Sequence, residues 1–180
     1  FTRSLFAPCI ANRLFMAVMV VVINIAVTTT SALSLARINF KGKGIMFMIF
    51  MSGMMIPGQA TMLSQYLIMT KLVLSGSLWA VILPATISPL YIFLVRQFMM
   101  TIPKSYEEAA EIDGCGRFGI YARVIMPMSK PVIFLSALQV FLASWNNFLA
   151  PLLYLTDWTK ITLPIGSVPY TNLTLPTVYR

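Results

Sequence analysis

The stretch Ser105–Pro127, SYEEAAEIDGCGRFGIYARVIMP, is a charged, helix-forming island between two apolar segments of membrane length. It holds four of the chain's five acidic residues, Glu107, Glu108, Glu111 and Asp113, together with Arg117 and Arg123. A loop that only joined two membrane helices would need no such chemistry, so the island is expected to touch a partner. Pro103 and Lys104 stop the apolar segment before it, and Ser105-x-x-Glu108 has the spacing of a capping box. A short helix is predicted from Tyr106 to near Asp113, ended by Gly114 in a left-handed conformation. Gly116 and Arg117 open a second short helix toward Val124. Pro127 marks the return to the membrane, and Pro131 suits the first turn of the next helix. The product is a compact knob, kept slim by Ala109 and Ala110, with Glu107, Glu108 and Glu111 at the positive end of a helix dipole. On spacing alone, a solvated amphipathic loop helix fits the same residues.

The rest of the chain has a membrane composition. Of its 180 residues 58% are apolar and 10% charged, against about 25% charged in soluble domains. The formal charge of +8 follows from topology, because basic residues collect in cytoplasmic loops. Basic and aromatic residues do not interleave on a polar surface, which argues against nucleic-acid binding. Two cysteines and no histidine exclude a metal-ligand cluster, a histidine-based triad and a CxxC pair. No catalytic set is visible. Gly42-Lys43 is followed by Gly44 and lacks the spacing of a phosphate-binding P-loop, so ATP hydrolysis by that route is not expected of this chain. Thirteen methionines fill irregular packing and lipid-facing space more readily than they bind metal.

A membrane helix needs about 20 mainly apolar residues. Four segments qualify: Leu14–Ala36, Ile45–Met69, Ser77–Met100 and Pro131–Leu155. Pro57, Pro84 and Pro89 are expected to kink the second and third, which is tolerated where neighbouring helices satisfy the freed carbonyls. The fold class is therefore all-α, a polytopic membrane helix bundle with a short cytoplasmic helix pair. Arg37, Lys41 and Lys43 stand in the first connection, and Arg96, Lys104, Arg117, Arg123 and Lys130 in or beside the third. These eight of thirteen basic residues mark one face as cytoplasmic, with Arg3 and Arg13 against the trend. Both chain ends then lie outside, and Cys9 and Cys115 fall on opposite sides. That arrangement is natural if one helix precedes Phe1 and another follows Arg180. The expectation is a single transmembrane domain over residues 1–180, truncated at both ends, with the loop 103–127 inside it.

Glu108-Ala109-Ala110, three residues, Gly114, nine residues, then Val124-Ile125-Met126-Pro127 resembles the "EAA" loop of the integral membrane permeases of bacterial ABC importers. Val124 and Met126 depart from the family's usual Ile and Leu while conserving apolar volume. The resemblance extends over Met55–Leu72, Phe93–Gly114, Phe141–Leu155 and Ile161–Gly166, which look like the permeases of maltose-type and glycerol-phosphate-type carbohydrate importers. After Gly166 the polar, proline-interrupted tail no longer fits the family's run into a last helix. The resemblance implies six helices in the full protein and a bacterial or archaeal plasma membrane. It also implies docking of a separate ATPase dimer, which binds the ATP and magnesium, through Glu107, Glu108, Ala109, Ala110, Asp113, Gly114 and Pro127. A second permease subunit and an extracytoplasmic solute-binding protein would complete the system.

Polar groups inside a membrane helix usually face protein or a wet cavity. Ser136, Gln139, Ala143 and Asn146/Asn147 recur on one helical face, and Trp145 begins a Trp-Asn-Asn cluster. An aromatic face plus amide donors suits a sugar, whose hydroxyls seek hydrogen bonds while its C–H face stacks. Asn24, Thr28 and Ser31 form a second stripe, and Gln59, Ser64 and Gln65 follow the Pro57 kink. Asn24, Thr28, Gln139, Trp145, Asn146 and Asn147 are thus the candidate translocation path. The competing reading is interhelical hydrogen bonding, with Trp145 as an interfacial belt residue. Two other functions remain open at this point. A stand-alone secondary transporter or channel is disfavoured because Asp and Glu are absent from all four apolar segments. A truncated, non-transporting permease remnant is the other.

Overall fold

A computed structural model describes residues 3–155, with side chains from Pro8 onward. The Ile161–Gly166 motif and the tail beyond it lie outside the described residues. Among the described residues the secondary structure is helical throughout, with no strand. In chain order the helices are α1 (Arg3–Arg37), α2 (Lys43–Gly53), α3 (Gly58–Lys71), α4 (Leu78–Ala85), α5 (Pro89–Thr101), α6 (Ser105–Ile112), α7 (Arg117–Ile120), α8 (Met126–Met128), α9 (Lys130–Asn146) and α10 (Leu149–Tyr154). A π-helical turn, Tyr121–Ile125, joins α7 to α8.

Pro8–Arg37, the apolar run of α1, is long and apolar enough to cross a membrane by itself, with a mean hydropathy of 2.2. It is longer than the expected Leu14–Ala36, because Arg13 sits inside the helix rather than before it. The other three apolar segments are each divided. The second breaks between Gly53 and Gly58, where Pro57 can donate no backbone hydrogen bond. There Met54 and Met55 fall back on carbonyls three residues earlier, those of Met51 and Ser52. The third breaks ahead of Pro89, which opens α5, while Pro84 is absorbed in the last turn of α4. The fourth breaks after Asn146. Counting each bent helix pair as one span gives up to four candidate spans, the last of them Arg117–Met128 with Lys130–Asn146, which takes in the end of the loop.

Contacts divide the chain into two compact units. One draws on Phe1–Val20, Gly58–Ala85 and Phe141–Arg180, the other on Val21–Pro57 and Thr86–Val140. In the first, α10 packs on α3 and α4. Tyr154 stacks on Tyr66 with ring centroids 5.9 Å apart, and the Gly76 N–H donates to the Tyr154 carbonyl at 2.9 Å.

The second unit has a core of Ala32, Val95, Met99, Ile102, Ala110, Ile120 and Ile125. This cluster joins the C-terminal half of α1, the end of α5 and the loop helices α6 and α7. The loop is thus a packed extension of the helix ends, because Ala110, Ile120 and Ile125 of the loop belong to the same cluster. The two alanines of α6 divide: Ala110 is buried in this core and Ala109 is exposed. A branched side chain at 110 has no room, and overpacking of this kind costs about 1–3 kcal/mol. Ala110→Leu should therefore lower the melting temperature of the detergent-solubilised protein, while Ala109→Leu leaves it unchanged; equal shifts would contradict this packing.

Candidate functional site

The loop Lys104–Pro127 is built from two short helices and a tight turn. Helix α6 starts at Ser105, one residue earlier than Tyr106, and Lys104 occupies the capping position without a side-chain bond. The expected Ser105 capping box is not formed. Lys104 already has helical dihedrals, so its carbonyl accepts the N–H groups of Glu107 and Glu108 at 2.9 and 3.0 Å. Glu107 and Glu108 lie in the first turn, where the dipole favours acids. At the other end Gly114 has φ +80°. Its N–H donates to the Glu111 carbonyl at 3.0 Å, and the Cys115 N–H to that of Ala110 at 2.9 Å. This pair of bonds is a Schellman motif, which needs a left-handed residue at the glycine position.

Arg37, at the C-terminus of α1, fixes the knob to the helices. Its Nε lies 3.0 Å from Glu107 Oε1, with the two side chains 11% and 23% exposed. Its Nη2 donates to the carbonyls of Met99 and Ile102, at 2.7 and 2.6 Å. One guanidinium therefore ties together the end of α1, the end of α5 and the start of α6. A second tie is the Tyr121 hydroxyl, which donates to Thr29 Oγ1 of α1 at 3.1 Å. The end of α1 is itself capped by cations: Arg96 Nε donates to the Leu35 carbonyl at 3.1 Å and Lys43 Nζ to that of Ala36 at 3.3 Å. Arg96 also lies over the Phe47 ring, 4.0 Å from its centroid. Behind the knob is a pocket of about 340 Å³, lined in part by Arg37, Glu107, Glu111, Arg117 and Tyr121.

Outward, the knob presents apolar residues to solvent. Ile112 is 87% exposed and Phe118 80%, beside exposed Glu108, Ala109, Asp113 and Pro127. Large apolar side chains on a charged, water-facing loop mark an interaction surface. The sequence reading had not singled out Ile112 or Phe118. Of the expected docking residues, Glu108, Ala109, Asp113, Gly114 and Pro127 are exposed, whereas Ala110 is in the core and Glu107 is engaged with Arg37.

The path candidates are placed unevenly. Asn24 and Thr28 are buried: Asn24 Nδ2 donates to the Thr86 carbonyl at 2.8 Å, and Thr28 Oγ1 to Asn24 Oδ1 at 3.3 Å. They serve the break between α4 and α5, as interhelical hydrogen bonding would have it. Ser31 is half-buried. Ser136 is buried and returns its hydroxyl to the Val132 carbonyl at 2.8 Å, while Gln139 and Ala143 on the same stripe are exposed. Gln59 and Ser64 are exposed, and Gln65 donates to Thr61 Oγ1 at 3.2 Å. Trp145, Asn146 and Asn147 stand where α9 ends. Trp145 stacks on Phe141 with centroids 5.7 Å apart, Asn147 Oδ1 accepts the Ala150 N–H at 3.2 Å, and Asn146 is exposed.

Residues 24–177 match the family of binding-protein-dependent transport system inner membrane components. The chain is 36% identical over 165 residues to AraQ, an arabinooligosaccharides transport system permease protein of Halalkalibacterium halodurans, covering 89% of this chain and 59% of that one. It is 30% identical over 164 residues to MalG, a trehalose/maltose transport system permease protein of Thermococcus litoralis, with the same coverages of 89% and 59%. Among solved structures, a bacterial ABC transporter involved in import of the acidic polysaccharide alginate superposes with a TM-score of 0.84 and 25% identity, covering 99% of this chain and 62% of that one. The chain thus spans less than two thirds of the length of these relatives. The comparison accounts for the helical loop between apolar segments and for the breadth of the likeness around it: the chain belongs to the family of binding-protein-dependent transport system inner membrane components.

Proposed function

We propose that this chain is the membrane-crossing permease part of an ATP-driven importer for a sugar or a related hydroxyl-rich solute. In this reading it crosses the membrane four times, with the 105–127 loop on the cytoplasmic side. The loop docks a separate ATPase through Ile112, Phe118, Glu108 and the turn at Gly114. A second permease subunit completes the path, and a solute-binding protein delivers the solute. The observation that carries the reading is the fastening of the knob: an exposed apolar and acidic surface is joined through the Arg37–Glu107 pair to the ends of two helices. Movement of the ATPase would then be passed to the membrane segments as rigid-body rotation rather than absorbed in a slack loop. The carbohydrate names of the relatives support the solute class, as do Trp145 and Asn146 together at the end of α9.

The direct experiment is purification of the tagged native protein in mild detergent, with mass spectrometry of whatever accompanies it. An ATPase and a second permease are expected; elution of the folded protein alone would overturn the docking surface. Phe118→Asp should remove the ATPase from the purified complex, since a central aromatic in an interface carries about 2 kcal/mol or more. Gly114→Pro, which cannot take φ +80°, and Glu108→Lys should both abolish uptake while the chain still inserts; normal uptake by both would sink the coupling role. Arg37→Gln leaves Glu107 partly buried without its cation, a change that costs about 3–5 kcal/mol in fully buried pairs and less here. Solute moved per ATP hydrolysed should fall several-fold, roughly in line with that loss, and an unchanged ratio would mean the knob is driven by another route.

A further inference from the structure

Arg13 belongs neither to the loop nor to the charge asymmetry that orients the chain. Its side chain is 2% exposed within the apolar run Pro8–Arg37. An ionised group there is costly unless other groups receive its charge. Its two terminal nitrogens divide between two backbone carbonyls: Nη1 donates to that of Asn147 at 2.8 Å, and Nη2 to that of Trp145. Both carbonyls stand at the end of α9, where helical N–H partners run out and partial negative charge gathers. A guanidinium is suited to this task because its donors form a rigid fork, whereas an ammonium is a single point.

The helix is interrupted at the place Arg13 grips. Helix α9 stops at Asn146 and α10 starts at Leu149. The far end of α10 is held independently, by the Gly76–Tyr154 hydrogen bond and the Tyr66 stack. At the near end Arg13 joins the Asn147–Ala150 hydrogen bond and the Phe141 stack in fixing where α9 ends, and with it the position of the Trp145 ring and the Asn146 amide. We propose that Arg13 is a positioning residue of the solute path, holding the break at Trp145–Phe148 so that the aromatic face and the amide at the end of α9 keep their place. The assignment rests on the reading of Trp145 and Asn146 as path residues, but the grip on the break is testable without it.

The test pairs a local probe with uptake, using the complete transporter in proteoliposomes. Phe148→Cys, a half-buried position of the same break, with Cys9→Ser and Cys115→Ser, gives a thiol whose labelling by a membrane-impermeant maleimide reports the break. Charge-assisted hydrogen bonds contribute about 1.5–3 kcal/mol, so Arg13→Gln should speed labelling by roughly tenfold or more. Arg13→Lys, which keeps the charge and loses the fork, should give a smaller increase. It also carries the test if Arg13→Gln does not accumulate in the membrane. Apparent KM for radiolabelled maltose or arabinotriose should rise with the labelling rate, with maximal velocity changing less. Unchanged labelling in both Arg13 variants overturns the grip. Faster labelling with normal uptake overturns the positioning role if Trp145→Ala impairs uptake. If Trp145→Ala also leaves uptake normal, the path reading falls instead.

Discussion

The structure of the second unit depends on one guanidinium. Arg37 sits where three chain segments end or begin: the last carbonyls of α5, the first turn of α6, and the end of α1 that carries it. Its Nη2 donates to the carbonyls of Met99 and Ile102, and its Nε forms an ion pair with Glu107. Charge-assisted hydrogen bonds of this kind contribute about 1.5–3 kcal/mol each, and the ion pair is shielded enough that loss of either member strands the other. Beneath it, the apolar cluster around Met99, Ala110 and Ile125 gives the same junction its bulk. Direction comes from the charges and stiffness from the packing.

The same device recurs along the chain. Arg96 and Lys43 hold the last carbonyls of α1, and Arg13 those at the end of α9. Helix α1 thus carries a guanidinium in each unit, each turned onto the C-terminal carbonyls of a different helix. In lipid or at its edge, a helix that stops must have its carbonyls received by something. Broken helices, which this chain has in three of its four apolar segments, multiply such ends. Basic side chains suit this task, because each brings several donors and a positive charge to the negative end of a helix dipole.

Local chemistry was legible in the sequence and distant partnership was not. Gly114 could be read because a left-handed turn after a short helix asks for glycine, and Pro57 and Pro89 because a residue without an N–H must interrupt a helix. The two short helices of the loop were legible for the same reason: the glycines that separate them act within a few residues. Arg37 was read as one charge among eight because the carbonyls it binds lie 62 and 65 positions away. Asn24 was read as one of a polar stripe, for the path or for interhelical bonding, because its partner, the Thr86 carbonyl, is 62 positions away. Ser105 misled because its motif fits a cap, while Lys104 had already entered helical geometry. Ile112 and Phe118 went unnoticed because an exposed apolar residue has no sequence mark until the fold shows which face is covered.

The π turn at Tyr121–Ile125 bears on how such a loop changes over generations. There the Met126 N–H reaches back five residues to the Tyr121 carbonyl, so this turn houses one residue more than an α-helix would over the same rise. Loss of a single residue would close it to ordinary α-helix. The segments before and after the turn would keep their facing, because the turn already absorbs the extra residue. A one-residue deletion in an ordinary helix turns everything beyond it by about 100°, the angle one residue subtends; here the loss would be taken up locally, with each exposed residue still facing the same way. The turn is thus a place where the loop can shed a residue without re-aiming its exposed face.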